Sequence, residues 1–306
     1  MRNLFPVESC RLPVPHRNRA ARGFSLLEVL VVVSLLSLIV LALMEVFSST
    51  QRAFRASVTQ ADVLEGSRAA VDLITSDLRG MTPAGSAAGM ATGNPVNFFV
   101  FANYNYYTPL AQSLPGSSVT RTNLLNYFFA LSRQNTKWIG VGYIVDSSSA
   151  SPLYPLYRFY AETNTATSPR ALYDMFANQI NLAQFTNMSH IIDGVAHLTV
   201  RAQDPSGNWI YSGYSNVLNT QFYSPFTAPS GPNGYGEAQL FMFSNTVPAA
   251  VELELGVLED QTLARAESLP TSPVDRRTPY LQSQAGTVHV FRQRVTIPNV
   301  DRTAYQ

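Results

Sequence analysis

Residues 21–47 read ARGFSLLEVLVVVSLLSLIVLALMEVF. From Phe24 to Phe47 there are 24 residues, and Glu28 and Glu45 carry the only charges. Between those two, Val29–Met44 holds Leu, Val or Ile at nearly every position. A helix needs about 20 apolar residues to cross a bilayer, so this segment predicts a membrane span. Arginines precede it, which sets the N-terminus in the cytoplasm and the bulk of the chain outside. An ordinary secretory signal has an apolar region of about 7–15 residues ending in a small-residue cleavage site. This run is longer and continues into a helical pattern.

Working outward, the leader is basic. Residues 1–23 hold five arginines, Arg19 and Arg22 among them, against Glu8, so they carry +4 and leave −3 for the rest of the chain. That distribution gives no nucleic-acid footprint. Only 13% of the 306 residues are charged, against roughly a quarter in an average soluble domain. The one cysteine, Cys10, lies in the leader, so a chain without the leader has neither a disulfide nor thiol chemistry.

On the C-terminal side no proline occurs until Pro83. Phe47, Phe54, Val58, Ala61, Leu64, Val71, Ile74 and Leu78 recur in steps of three, four and seven, the stripe of a single helix. Gly80 followed by Pro83 predicts its end. One helix over 24–79 is about 84 Å long at 1.5 Å per residue. Its first half belongs in lipid, and its second half needs something to cover the stripe.

After residue 80 the texture changes. Short β-prone runs alternate with Pro, Asn, Ser and Gly clusters: VNFFVFANYNYY, LNYFFALS, WIGVGYIV, LYRFYAE, VAHLTVRAQD, AQLFMFS and AVELELGVLED. DPSGNW at 204–209 and Asp193-Gly194 read as turns. Residues 168–183 and 258–269 predict short helices. The expected fold is α+β: a long N-terminal helix packed on one antiparallel β-rich head. The expected division is leader 1–23, membrane helix 24–47, soluble helix 48–80 and head 81–306.

Chemistry-bearing patterns are sparse. His190, His197 and His289 form no H-x-x-x-H or H-E-x-x-H spacing, and neither a nucleophile elbow nor a phosphate loop occurs. The expectation is therefore no enzyme, no cofactor and no metal. Asp204 with Asn208 offers a Ca²⁺ alternative, but DPSGN explains itself as a hairpin turn. Glu252 and Glu254 alternate along a strand and read as its solvated face. Tyr104, Tyr106 and Tyr107 suit a β core and its rim, or a partner or sugar.

Gly23-Phe24-Ser25-Leu26-Leu27-Glu28, after a basic leader and before an apolar helix, resembles the prepilin cleavage and methylation motif of type IV pilin-like proteins. IIDGVAHLTVRAQDPSGNW and VPAAVELELGVLED resemble the heads of J-type minor pseudopilins of type II secretion. Those heads share a V-x-x-L strand, a D-x-x-G-x-W hairpin and a P-x-A-V-E-L strand. YPLYRFYAETN is similar to the pilin-like Verru_Chthon cassette protein C. Residues 84–150 resemble nothing placed. The resemblance implies cleavage after Gly23 by a prepilin peptidase and methylation of the new Phe24 amine. It implies assembly with other pilins or pseudopilins at the inner membrane and its assembly platform. Many major pilins carry a proline late in the apolar helix; its lack here fits a minor component.

Glycine at 23 suits a peptidase that must accept an extended backbone with little bulk. A carboxylate at a membrane centre costs about 2.5–3.5 kcal/mol. Glu28 sits near the end, where the cost is lower, and four residues from the Phe24 amine that cleavage creates. Between chains that amine and carboxylate would set axial register, while the Val and Leu surface supplies adhesion. The alternatives are a filament-tip or surface adhesin using aromatic loops at 94–129, and a membrane-tethered enzyme, which lacks a polar constellation.

Overall fold

The computed structural model describes residues 25–85, 94–102, 110–114, 116–147, 154–210, 220–223 and 238–305. Helix α1 spans Leu26–Arg79. The chain divides into two compact units inside that helix, Met1–Arg55 and Ala56–Gln306.

In the first unit, Ser25 caps the helix. Its carbonyl accepts from the Val29 N–H at 3.2 Å, and its hydroxyl accepts from the Glu28 N–H at 3.2 Å. Leu26–Phe54 is long and apolar enough to cross a membrane, and none of it is buried. The hydroxyls of Ser34, Ser37 and Thr50 donate to the carbonyls of Val31, Val33 and Val46, each at 2.8 Å. These three hydroxyl protons are thus engaged within the helix, as an apolar solvent demands.

In the second unit, α1 buries Val63, Ser67, Ala70, Val71, Ile74, Thr75 and Leu78, at steps of three and four, as one helical face must. Each fully buried aliphatic side chain on that face contributes about 1.5–3 kcal/mol. The stripe expected from sequence is covered by the head only in its later part. Val71, Ile74 and Leu78 are buried and Leu64 is half-buried, whereas Phe47 and Phe54 are exposed. The side chains of Val58 and Ala61 lie outside the described ones.

The head is antiparallel and β-rich, as expected, and has two main sheets. Strands β1 (Val96–Ala102), β2 (Ala111–Ser113), β3 (Thr120–Thr122), β4 (Asn126–Gln134), β5 (Lys137–Val145) and β6 (Leu156–Asn164) come first. After helix α2 (Arg170–Asn181) come β7 (Ser189–Ile192), β8 (Val195–Gln203), β9 (Thr220–Tyr223), β10 (Ala238–Phe243) and β11 (Ala250–Leu258). Helices α3 (Asp260–Glu267) and α4 (Arg277–Gln282) precede β12 (Val288–Thr296). A seven-stranded antiparallel sheet has the order β7-β6-β5-β4-β1-β10-β9, a three-stranded one β12-β11-β8, and β2 pairs with β3. Asp193-Gly194 therefore does not close a hairpin. It carries the chain from the large sheet to the small one, with Gly194 at φ +80°. The previously unplaced 84–150 stretch supplies β1, β4 and β5, neighbours or near neighbours at the centre of the large sheet.

Strand pleating sorts the core. Phe98, Val100, Phe128, Ala130, Val141 and Tyr143 face one way and share a core with α1 and with Leu198, Val200, Val251, Leu253 and Leu255 of the small sheet. Phe99, Phe129, Leu131, Trp138, Phe159 and Phe241 face the other way, under Leu172 and Phe176 of α2. The large sheet is thus covered on both faces, which is why its strands read as near-continuous apolar runs. A third cluster joins Leu258, Leu263, Ala266 and Leu281 beneath α3 and α4.

Candidate functional site

The surface that stands out is α1's first half. From Leu26 to Val46 it presents Leu, Val, Ile and Met side chains left uncovered among the described residues, at exposures of 45–84%. Glu28 lies on this exposed surface, in the first turn of the helix. Ser25-x-x-Glu28 is a capping-box pattern, which the sequence reading passed over. Arg19, Arg22, Gly23 and Phe24 lie outside the described residues. At the far end of the apolar run, Arg52 reaches Glu45 at 3.5 Å and the Ser48 carbonyl at 3.3 Å.

A second arrangement fixes the helix to the head. Arg158 of β6 donates from Nε and Nη2 to the two carboxylate oxygens of Asp77 on α1, at 2.8 and 3.0 Å. The Tyr143 hydroxyl of β5 donates to the same carboxylate. Burial, reinforced by Asp77, pushes the Tyr143 phenol well above its ordinary range. Tyr143 is therefore a donor at any physiological pH. The helix exit is held by Asn97, whose amide oxygen accepts from the Ala84 N–H at 3.0 Å. Its Nδ2 donates to Ser244 and Thr246 carbonyls at 2.8 and 2.9 Å. Asn299 Nδ2 donates to the Met81 carbonyl at 2.9 Å. None of these was singled out from sequence. The signal was an aspartate between the stripe residues Ile74 and Leu78, with one arginine inside an aromatic strand.

The histidines do not converge. His190 pairs with Asp193 at 3.0 Å, His289 with Glu259 at 3.0 Å, and His197 lies 3.9 Å from Glu254. No group of three or more metal-ligating side chains forms among the described residues. Asp204 serves its own turn: Oδ1 accepts from the Ser206 and Asn208 N–H groups at 2.8 Å, and Oδ2 from Asn208 Nδ2 at 3.1 Å. Its oxygens are thus already engaged by donors that a cation would have to displace. Glu252 and Glu254 are corrected: their side chains are only 19% and 14% exposed, held by Arg201 and Arg292. Tyr104, Tyr106 and Tyr107 lie outside the described residues.

What remains as a functional surface is an uncovered apolar helix with a carboxylate in its first turn, directly after the G-F-S-L-L-E sequence. Residues 18–44 match the prokaryotic N-terminal methylation motif. The chain carries a type IV pilin-like, prepilin-type N-terminus. That motif implies processing by a prepilin peptidase, and the single apolar helix behind it is consistent with membrane anchoring. No curated protein and no solved structure matches the chain.

Proposed function

We propose that this chain is a minor pilin or pseudopilin, with a head that resembles those of J-type minor pseudopilins of type II secretion. It inserts in the inner membrane with the head on the periplasmic side, is cut after Gly23 and is N-methylated at Phe24. It then leaves the bilayer by packing α1 among the helices of sibling subunits in a periplasmic filament. Its partners are the peptidase, other pilins or pseudopilins and the assembly platform, and it performs no catalysis of its own.

One observation carries this reading: the processing motif opens the same helix whose apolar side chains stay uncovered from Leu26 to Val46. A tether needs only to be apolar. A charge such as Glu28 near the start of a span is unfavourable unless it gains a partner. The amine that cleavage frees at Phe24 supplies one, and inside a stack of apolar helices a register that left either charge alone would cost several kcal/mol.

Mass spectrometry of native material tests the proposal. The expected first residue is methylated Phe24, and Gly23→Ala leaves a large excess of full-length precursor in the membrane fraction. An intact N-terminus on wild-type protein, a cut elsewhere, or wild-type processing of Gly23→Ala overturns it.

A further inference from the structure

Among the described residues, the outer edge of the small sheet is open along its whole length. At the ends of the large sheet, β7 and β9 are four residues each. In the small sheet, β8 is covered at its outer side by a bridge to Leu125 and by the Gln203–Trp209 bridge. Strand β12 is nine residues long, pairs over all of them with β11, and has no partner on its other side among the described residues. Such a strand offers a row of backbone donors and acceptors to any chain that can lie beside it.

The side chains specify what kind of chain. On the outward face, cross-strand neighbours form columns of alternating charge. Glu252 stands opposite Arg201 of β8 and Arg294 of β12, and Glu254 stands opposite Arg292. Glu254 takes Arg292 at 2.8 Å, and Glu252 takes Arg201 at 3.6 Å and Arg292 at 4.0 Å. Arg294 makes no ion pair among the described residues and is exposed. The sequence of columns is positive, negative, positive, and the next column on the open side is matched by negative charge. On the inward face, Phe291 packs on the main core but is only partly buried at the edge. An apolar residue on an added strand would complete its cover.

A second copy of this chain does not meet these terms. Strand β12 has no acidic residue, and its antiparallel pairing with itself puts an arginine opposite an arginine when centred on 292, 293 or 294 and only valines opposite Arg292 and Arg294 when centred on 291. Like charges directly opposite are destabilising.

We propose that β12 is a strand-addition site for an extended segment of a different polypeptide, one that alternates acidic with apolar residues. The acids face Arg292 and Arg294, the apolar residues lie over Phe291, and backbone hydrogen bonds continue the sheet. The site is remote in sequence from the processed helix and does not depend on cleavage at Gly23.

The test uses full-length protein in detergent micelles and short synthetic peptides alternating valine with glutamate, valine with lysine, or valine with glutamate carrying backbone N-methyl groups. The glutamate peptide is expected to bind saturably and to slow amide exchange within 288–296. The lysine and N-methylated peptides should bind at least about tenfold more weakly. Arg294→Glu should shift the preference towards the lysine peptide; should that variant fold poorly, Arg294→Gln should weaken the glutamate peptide alone. Four outcomes each overturn the proposal: no binding of the glutamate peptide at millimolar concentration, equal binding of its N-methylated form, no protection in β12, or an unchanged preference in the Arg294 variants.

Discussion

Helix α2 lies close on the large sheet because two positions on that face of β5 are glycines. A Cβ at 142 would stand 2.3 Å from the Phe176 ring, and one at 140 would stand 2.9 Å from the Leu172 Cβ. Gly142→Ala should therefore cost about 1–3 kcal/mol through overpacking. Urea unfolding followed by Trp138 and Trp209 fluorescence would measure it, and Phe176→Leu in the same chain should recover part of the loss. His197 makes a different single-residue demand. The Leu124 N–H donates to its Nδ1 at 3.0 Å, so that nitrogen must stay unprotonated for the contact to exist. Burial lowers its pKa from 6.5 to about 4, with Glu254 opposing and Arg121, Arg201 and Arg292 assisting. Between those values the native state holds fewer protons than the unfolded chain. Stability should therefore be complete above pH 6.5 and fall as the pH drops towards 4, by on the order of 3 kcal/mol in all. Carboxylates add to the slope only below about pH 5. The decisive window is therefore pH 5–6.5, where His197→Gln should flatten the dependence of the urea midpoint. An identical slope in that variant would assign the effect elsewhere.

At the scale of elements, helix α1 and seven of the strands were legible because each repeats a period. The steps of three and four ending at Leu78 and the stop at Gly80 fix the helix. Runs such as WIGVGYIV and AVELELGVLE have the length and β-branched content of strands. Helices α2 and α3 fall inside the ranges expected for them. What stayed hidden follows from packing that no local pattern encodes. VHVFRQRVT carries arginines and glutamine where a strand's apolar face would be sought, because β12 is an edge with one face half open. The division into two sheets turns on one positive-φ glycine at 194 that a hairpin would use equally well. The Asp77–Arg158–Tyr143 contact joins residues 66 and 81 positions apart. Gly66 shows the converse, a local weakness with no packing purpose. It lies inside α1, and a Cβ there would meet only the Ile192 Cδ1, at 3.4 Å, an ordinary contact. Gly66→Ala should thus stabilise the head by about 0.5–1 kcal/mol through helix propensity alone. A lower urea midpoint than wild type would show that the close approach of β7 needs the glycine after all.

For the whole molecule, the contrast between the two units is the point of departure. The second unit hides its apolar side chains on three cores, while the first exposes nearly all of its own. A chain built this way has a head that buries its apolar side chains and a helix whose stable surroundings are other apolar surfaces, in the proposed function first lipid and then sibling helices. Lipid tails and leucine side chains are alike in polarity, so the hydrophobic effect does little to favour one over the other. The choice then falls to the carboxylate. In a bilayer Glu28, in the first turn of the helix, is within reach of the headgroups. In a helical stack it has no such exit and must meet a positive charge. Glu28→Val should accordingly leave insertion and cleavage after Gly23 intact, yet reduce entry into filaments at least about tenfold, the equivalent of about 1.4 kcal/mol. Quantifying processed protein in membrane and sheared-filament fractions separates the steps. Glu28→Gln, which keeps shape and loses charge, should behave as Glu28→Val does if charge pairing governs entry. Wild-type incorporation of both variants would remove the pairing from the mechanism and leave helix packing alone to account for assembly.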